Sequence, residues 1–326
     1  MSNKLTIGKG INAGLRAAME HDPKVLVMGE DVGRLGGVFR VTDGLHKDFG
    51  ADRVIDTPLA ESGIVGTAIG MAMRGYRPVV EIQFDGFFFP ATNQTFTQLA
   101  KMRRRSAGKL SMPVVMRIPY GGGIGAVEHH SESPEAYFTH TAGLRVMTVA
   151  TPEDAYWGIQ QAIRCEDPVI FLEPKRRYYE KAEVDLDLAY EDATPMGAAR
   201  IARPGTDATL LAYGPMVKTA LQAAEADTER SIEVIDLRSL SPVDYPTVVE
   251  SVKRTGRLVV THEATLTGGP GAEIAARVTE ECFYHLESPV IRVAAFDTPY
   301  PQSRLEEHYL PDLDRVLDGV DRAFAY

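Results

Sequence analysis

The chain has 326 residues, of which 44% are hydrophobic and 25% charged, the balance of a soluble globular protein with room for two domains. Its formal net charge of −10 argues against nucleic acid as the main partner, because binding to phosphates needs a basic surface. The two cysteines, Cys165 and Cys282, lack the spacing of a zinc site or disulfide framework, and no run of about 18 apolar residues is present to span a membrane, so we expect a cytoplasmic protein with no membrane partner.

Short runs of β-branched residues alternate with amphipathic stretches through the first half of the chain. This order of strand, helix and strand predicts a parallel sheet covered by helices on both faces. The predicted strands are 24–29, 77–82, 113–118, 146–150 and 169–173, and helical patterns lie at 62–74, 93–105 and 152–165.

The alternation breaks at about Pro174, where the chain becomes polar and is punctuated by prolines, as in a linker. It then resumes with predicted strands at 208–213, 232–237, 257–263 and 290–295 and helices from about Met216, near 244–254 and at 271–286. We therefore predict an α/β protein with a first domain over 1–185, a linker over 186–205 and a second, smaller domain over 206–326.

Ligands of open parallel sheets bind beyond the carboxyl ends of the strands, so residues at those ends deserve inspection. Glu61 stands where an apolar strand gives way to a helix. In the first helical turn an acid complements the helix dipole, and that role alone explains it. A functional role requires an apolar pocket that keeps the acid partly protonated, for which Leu59 and the phenylalanines 87–89 are candidates.

Gly63, Gly66 and Gly70 form a small-residue face on the same helix. Each glycine inside a helix costs up to about 1 kcal/mol of stability relative to alanine. We expect close approach of another backbone to offset this cost. Tight helix packing and a bound ligand explain that approach equally well.

The segment "EIQFDGFFFPA" (81–91) places Gln83, Asp85 and three phenylalanines at the end of a strand. Consecutive phenylalanines usually belong to a core or a subunit interface. Stacking of one of them against a flat heteroaromatic ring is the more specific hypothesis.

The loop "PYGGGIGAVEHHSES" (119–133) combines mobile glycines with His129 and His130, which can act as acids, bases or hydrogen-bond donors near neutral pH. A solvated loop with capping serines is the simpler interpretation. The spacing does not fit a metal site or a phosphate-binding GxxxxGK[ST] loop.

Two further stretches indicate little by themselves. The basic run 101–109 is typical of a solvated helix end, with a subunit contact as the second possibility. The stretch "HEATLTGGPGAE" (262–273) has a glycine-rich turn before a helix but does not match GxGxxG.

Taken together with "GEDVGRLGGVFRVTDGL", "VIDLRSLSPVD" and "DTPYP", these stretches resemble the β subunit of the thiamine-diphosphate-dependent 2-oxo acid dehydrogenase component. The resemblance covers essentially the whole chain. Within the family, "EIQFDGFFFPA" and "HHSESPEAYF" look more like branched-chain 2-oxo acid dehydrogenase than pyruvate dehydrogenase.

The resemblance implies a transketolase-like fold of two three-layer domains with mostly parallel sheets, a pyrimidine-binding domain and a C-terminal domain. It also implies an α₂β₂ heterotetramer in which the α subunit holds the diphosphate and its Mg²⁺. The family's diphosphate motif, which begins GDG and ends in paired asparagines, is absent from this chain. The lipoyl acyltransferase core is the further partner implied, through its peripheral-subunit-binding domain.

The resemblance also assigns residues. Glu61 matches the carboxylate that hydrogen-bonds N1′ of the cofactor pyrimidine, and Leu59 and Gln83 match residues that line that ring. Phe87 matches a position where branched-chain members carry tyrosine, so stacking is kept and a phenolic hydrogen bond is lost. His130 matches the loop histidine linked to decarboxylation and to reductive acylation of the lipoyl group, although the adjacent His129 leaves the match open by one residue.

A structural K⁺ site in the family uses backbone carbonyls near the positions of Ala162, Cys165 and Asp167. The implied activity is oxidative decarboxylation of a 2-oxo acid with transfer of the acyl group to lipoyl. Two rivals remain: a self-sufficient transketolase-type enzyme, which the missing diphosphate motif disfavours, and a non-catalytic α/β scaffold or binding subunit.

Overall fold

The computed structural model describes residues 3–326, and the chain divides into two units. Unit 1 comprises residues 3–120 and Tyr137–Met196, and unit 2 comprises Gly121–Ala136 and Gly197–Tyr326. None of the helices in residues 3–326 combines the length and apolar composition needed to cross a membrane.

Unit 1 contains eight strands and the first six α-helices of the described chain. Its strands are β1 (Asn3–Thr6), β2 (Val25–Gly29), β3 (Val54–Asp56), β4 (Arg77–Glu81), β5 (Val115–Tyr120), β6 (Arg145–Thr148), β7 (Val169–Pro174) and β8 (Lys181–Val184). Its helices are α1 (Ile7–His21), α2 (Leu45–Phe49), α3 (Glu61–Met73), α4 (Ala100–Arg105), α5 (Glu135–Thr139, where the chain returns from unit 2) and α6 (Pro152–Arg164).

Strands β2 to β7 lie parallel in the order β6-β7-β5-β4-β2-β3, and β1 pairs antiparallel with β8 outside that sheet. Every residue of β2, β5 and β7 is buried, as expected for strands covered on both faces. Helix α6 begins where Thr151 accepts a hydrogen bond from the amide of Asp154, with Pro152 at the first turn. Its apolar face then packs on α1 in the core of the unit.

Unit 2 repeats the same architecture on a smaller scale. Strands β10, β11, β13 and β14 are parallel, β9 joins antiparallel at one edge, and the order is β14-β13-β10-β11-β9. Its strands are β9 (Arg200–Arg203), β10 (Ala208–Ala212), β11 (Ile232–Asp236), β12 (Ser239–Ser241), β13 (Leu258–Thr265) and β14 (Ile291–Ala295). Its helices are α7 (Met216–Ala226), α8 (Tyr245–Thr255), α9 (Pro270–Cys282), α10 (Glu306–Tyr309) and α11 (Leu313–Phe324).

The observed division differs from the predicted domains 1–185 and 206–326 in two respects. Residues 200–203, expected within the 186–205 linker, form strand β9 because their backbone groups pair with β11. Residues 121–136, expected in the first domain, pack with unit 2. Neither the strand pairing of 200–203 nor the packing of 121–136 is visible in local composition, since a short polar edge strand and a glycine-rich loop both look like connecting segments.

Candidate functional site

Three adjacent strands of unit 1 end at one edge of the sheet and present polar residues there. Glu30 follows β2, Glu61 opens α3 after β3, and Gln83 follows β4. Because β4, β2 and β3 are neighbours and parallel, these residues leave the sheet at adjacent positions. This edge is the candidate functional site of unit 1.

Glu61 is buried, with 8% of its surface exposed, although it is an acid. It occupies the first turn of α3, where Ala60 provides no side-chain cap and the free amide groups favour a carboxylate. The helix therefore explains an acid at this position. It does not explain why that acid is buried beside another one.

Glu30 is this second carboxylate, and the sequence analysis did not identify it. Its side chain is 9% exposed, and its Oε1 has no hydrogen-bond partner within residues 3–326. Burial raises the pKa of Glu30, as do the negative charges of Glu61 and Asp31, while a backbone hydrogen bond from Ala60 lowers it. Glu30 can therefore keep a proton at a pH where an exposed glutamate has lost it. Its place directly after β2 is the signal that could have identified it.

Gln83 connects the ends of β4 and β2. Its Nε2 donates to the carbonyl oxygen of Glu30 at 3.3 Å and to Oδ2 of Asp31 at 3.2 Å. Asp31 has a φ of 59°, in the left-handed region that non-glycine residues rarely adopt. The Gln83 amide thus holds the bend that follows Glu30.

Leu59 is 80% exposed, which is unusual for a leucine. Its chain neighbours Pro58 and Ala60 border an open groove of ≈ 340 Å³. The rest of the groove is lined mainly by apolar residues of β2, β3 and α3: Met28, Ile55, Ile64 and Met71, with Asp56, Thr57, Gly63 and Thr67. A largely apolar groove therefore reaches Ala60, the residue that precedes the buried Glu61.

The three phenylalanines of segment 81–91 have different environments. Phe88 is fully buried and packs edge-on against Phe138, with ring centroids 4.6 Å apart, so this member of the run belongs to the core. Phe89 is exposed to 44% and contacts Tyr137. Phe87 is partly buried, and its ring meets Phe84 edge-on at 5.6 Å. Of the three, Phe87 is the one that is neither core nor mainly exposed.

The glycine face of α3 remains open within unit 1. A Cβ at Gly63 would make only ordinary contact with Ala60, and a Cβ at Gly70 would meet nothing within 4 Å. The close backbone approach expected from these glycines is therefore not made by residues 3–326.

His130 lies in unit 2, on the loop between Gly121 and Glu132. It ends a short 3₁₀ turn, Glu128–His130, and is partly buried. His129 is 53% exposed at its side chain, beside the Glu128 carboxylate. The two neighbouring imidazoles thus differ in exposure, and His130 is the more enclosed of the two.

His262 explains the glycine-rich turn of unit 2. The imidazole is 1% exposed at the end of β13, and its Nε2 accepts a hydrogen bond from the amide of Gly271 at 3.1 Å. The other nitrogen, Nδ1, therefore carries the proton and donates to the carbonyl oxygen of Ala264 at 3.0 Å. A Cβ at Gly271 would lie 2.7 Å from Nε2, so this turn is built around a neutral histidine and the first turn of α9.

This arrangement predicts a pH effect on stability. Burial lowers the pKa of His262 to about 4, from 6.5. Below pH 6.5 the imidazole is protonated in the unfolded state but stays neutral in the folded state, so the free energy of unfolding falls as the pH drops from 6.5 towards 4. Above pH 6.5 this histidine does not affect stability. Between about pH 7 and pH 5, His262→Gln should lose about 2 kcal/mol less of its free energy of unfolding than the parent protein.

Urea unfolding at the two pH values measures this difference. His285→Gln, at an exposed histidine of the same unit, is the control and should behave as the parent does. Equal pH dependence in His262→Gln and the parent would contradict the assignment.

The K⁺ site expected near Ala162, Cys165 and Asp167 remains a prediction. These positions surround the end of α6, where the guanidinium of Arg77 donates to the carbonyl oxygens of Ile163 at 2.9 Å and Cys165 at 3.5 Å. The Asp167 carboxylate pairs with Arg103 of the basic run at 2.5 Å.

Comparison with known proteins covers nearly the whole chain. The family described as "Transketolase, pyrimidine binding domain" matches residues 3–181, and "Transketolase, C-terminal domain" matches residues 197–316. A solved structure titled "Split gene transketolase, inactive beta4 tetramer" has a TM-score of 0.79 at 21% identity and covers 98% of each chain. This likeness confirms the transketolase-like α/β fold expected from the sequence.

Curated relatives are similar over almost their full length. The chain is 62% identical to "Pyruvate dehydrogenase E1 component subunit beta" of Leifsonia xyli subsp. xyli, covering 99% of this chain and 95% of the relative. It is 54% identical to "3-methyl-2-oxobutanoate dehydrogenase subunit beta" of Mycobacterium tuberculosis, over 99% and 92%. It is 45% identical to "2-oxoisovalerate dehydrogenase subunit beta" of Pseudomonas aeruginosa, over 96% and 93%.

Proposed function

This chain belongs to the family of β subunits of the 2-oxo acid dehydrogenase (decarboxylating) component, and on that premise we propose that it works with an α subunit and thiamine diphosphate in oxidative decarboxylation of a 2-oxo acid. The observation that carries the proposal is the buried carboxylate pair Glu30–Glu61 at the sheet edge of unit 1. The acyl group formed is passed to a lipoyl group of a partner protein.

The residues at this edge fit the aminopyrimidine half of the cofactor. A pyrimidine ring needs an acid opposite a ring nitrogen and apolar contacts on its faces. The buried Glu61 supplies the acid, and the exposed Leu59 and the partly exposed Phe87 supply apolar surface. The Oε1 of Glu30, which no group in residues 3–326 hydrogen-bonds, is a further polar atom that a bound group can satisfy.

The cofactor, when bound, supplies the carbon nucleophile and the electron sink for decarboxylation. Glu61 holds a proton at the ring nitrogen N1′, and its burial strengthens that hydrogen bond. Gln83 keeps the segment after β2 in place, and Glu30 supplies a second carboxyl group beside Glu61. The protein's contribution is thus orientation of the ring and control of one proton.

We assign the loop histidine of the family to His130. It is partly buried, as a group that acts on a bound intermediate should be, whereas His129 is exposed beside Glu128. Its proposed part is proton donation and acceptance during reductive acylation, in which the lipoyl disulfide opens, one sulfur takes the acyl group and the other is left as a thiol.

The partners follow from the same assignment. We propose an α₂β₂ heterotetramer whose α subunit holds the diphosphate and Mg²⁺, since this chain has no GDG motif followed by paired asparagines. A K⁺ ion bound by the carbonyl oxygens near Ala162, Cys165 and Asp167 belongs to this proposal. So does docking of the lipoyl acyltransferase core through a peripheral-subunit-binding domain, for which the net charge of −10 offers a basic partner an electrostatic gain.

For the substrate we propose a branched-chain 2-oxo acid. The segments "EIQFDGFFFPA" and "HHSESPEAYF" favour it, and two relatives are named for 3-methyl-2-oxobutanoate and 2-oxoisovalerate, which are one compound. Pyruvate is the second candidate, because a relative that is 62% identical is named pyruvate dehydrogenase.

Co-expression with the neighbouring α subunit tests the function directly. With thiamine diphosphate, Mg²⁺ and a dye as electron acceptor, we expect kcat/KM for 2-oxoisovalerate to exceed that for pyruvate at least about tenfold, a difference of about 1.4 kcal/mol. The reverse ratio would establish pyruvate as the substrate. Failure of every 2-oxo acid would indicate a non-catalytic subunit, and turnover by the isolated chain would indicate a self-sufficient enzyme.

A further inference from the structure

The loop that carries His130 is closed at its base by hydrogen bonds within unit 2. The amide of Gly121 donates to the carbonyl oxygen of Glu132 at 2.9 Å, so the two ends of the loop meet. The next amide, that of Gly122, donates to Oε2 of Glu263 at 3.0 Å. Between these ends, residues 123–129 are mostly exposed. The contacts at the base of the loop therefore fix its position on unit 2.

Glu306 makes the most extensive of these base contacts. Its Oε1 accepts from the amide of Gly123 at 2.9 Å and its Oε2 accepts from the amide of Gly125 at 3.0 Å. The side chain is 6% exposed, and hydrogen bonds to a buried carboxylate are among the stronger ones in proteins. One carboxylate therefore clamps two amides of the glycine run.

Tyr300 in turn holds Glu306. Its hydroxyl donates to Oε1 of Glu306 at 2.5 Å, and its ring lies in a small apolar cluster with Tyr309 and Leu310. A Cβ at Gly122 would lie 2.1 Å from that hydroxyl, so the loop can approach only because this residue is glycine. The "DTPYP" stretch, whose local sequence indicates no role, thus provides the support of the clamp.

The path from the clamp to the imidazole is short. After Gly125 the chain turns into the 3₁₀ segment Glu128–His130, in which the amide of His130 donates to the carbonyl oxygen of Val127 at 3.0 Å. The clamped glycines are therefore joined to His130 by a short segment that ends in a hydrogen-bonded turn.

We propose that Glu306, supported by Tyr300, is a positioning residue that holds the His130 loop in the conformation needed for acyl transfer to lipoyl. This inference rests on the role proposed for His130. Glu306 itself touches only the loop backbone and Tyr300 among the contacts described above, so its influence on the reaction passes through the position of the histidine.

The test compares Glu306→Gln with Glu307→Gln in the α/β complex containing thiamine diphosphate and Mg²⁺. Glu307 is the exposed neighbour on the same short helix, which makes it a matched control. Hydrogen exchange of the peptide covering 121–132 measures loop order, and single-turnover acylation of a lipoyl domain measures transfer. For Glu306→Gln we expect at least about tenfold faster exchange and at least about tenfold slower acylation, because charge-assisted bonds to two amides are lost. Glu307→Gln should change neither.

Two more variants separate positioning from general destabilisation. Tyr300→Phe removes one hydroxyl and leaves both amide contacts, so it should give an intermediate effect even if Glu306→Gln folds poorly. In a His130→Ala background, Glu306→Gln should slow acylation no further, since the group it positions is gone. If Glu306 were purely structural, Glu306→Gln would instead slow acylation by the same factor with and without the His130→Ala change.

Unchanged exchange in Glu306→Gln and Tyr300→Phe would overturn the proposal, as would faster exchange with unchanged acylation. Additive effects with His130→Ala would also overturn it. If His130→Ala acylates as fast as the parent, the role of His130 fails and this proposal fails with it, whereas slow acylation by His130→Ala with normal acylation by Glu306→Gln rejects the positioning role alone.

Discussion

Glu61→Gln in the reconstituted α/β complex is expected to lower 2-oxo acid decarboxylation by at least about 100-fold, because a positioned acid or base usually contributes a factor of that size. Glutamine has the same shape as glutamate and keeps a hydrogen-bonding oxygen, but it cannot hold and release a proton. The free energy of unfolding should change by less than about 1 kcal/mol, which is the most that an acid in a first helical turn usually contributes.

The two magnitudes distinguish the two explanations for Glu61. If the residue only complements the dipole of α3, activity survives and the small stability loss is the whole effect. Glu153→Gln is the matched control, since Glu153 is an exposed acid in the first turn of α6 of the same unit. Steady-state turnover with a dye acceptor and urea unfolding measure both quantities, and normal turnover by Glu61→Gln would contradict its proposed part in proton control.

Arg117→Met is expected to cost about 3–5 kcal/mol of stability, because it leaves buried carboxylates without their cation. Arg117 is fully buried in the sheet of unit 1, where its guanidinium forms a two-point contact with Glu173 at 2.6 and 2.9 Å and donates to Glu81 at 2.6 Å. Tyr178 donates its hydroxyl to the same Glu173 carboxylate at 2.5 Å. A loss of this size is a large part of the stability of a typical domain.

The pH dependence of this loss is a second readout. Burial already raises the pKa of Glu81, while the charge of Arg117 opposes that rise. Without Arg117 the pKa rises further, so the folded variant binds a proton that the unfolded chain releases, and its stability falls as the pH increases above about 4.5. The free energy of unfolding of Arg117→Met should therefore fall further below that of the parent at about pH 8 than at about pH 5.

Arg103→Met is the control for this prediction. Arg103 forms an ion pair with Asp167 in which both side chains are partly exposed, 45% and 32%, so its loss should cost less than about 1 kcal/mol. Urea unfolding of all three proteins provides the comparison. Similar losses in the two variants, or a deficit that does not grow with pH, would contradict the account of the buried cluster.

Much of the fold is predictable from the sequence because the strands are buried on both faces. Runs such as 169–173 consist mainly of apolar, β-branched or aromatic residues, and they became strand β7 with every position buried. The expected helix over 93–105 is helical, although its first seven residues, Asn93–Leu99, form a π-helical segment. The type of each element was predicted more accurately than its first and last residues, because these boundaries depend on capping groups and on pairing with distant strands.

Candidate site residues followed from one rule of parallel sheets, namely that ligands bind beyond the carboxyl ends of strands. That rule led to Glu61 and Gln83, which follow the two strands on either side of β2 at the same edge of the sheet. It did not single out Glu30, because its place directly after β2 marks it as a candidate but does not distinguish a buried glutamate from a solvated one.

The amino-acid sequence by itself determined the alternation of strands and helices, the two α/β units and the family, because each depends on short-range patterns of apolar residues or on motifs read along the chain. Only the tertiary structure decided which carboxylates are buried, which glycine run is clamped by Glu306, and why His262 stays neutral. Burial and electrostatic pairing depend on groups far apart in the chain, such as Gly123 and Glu306, and no local pattern records which of them meet.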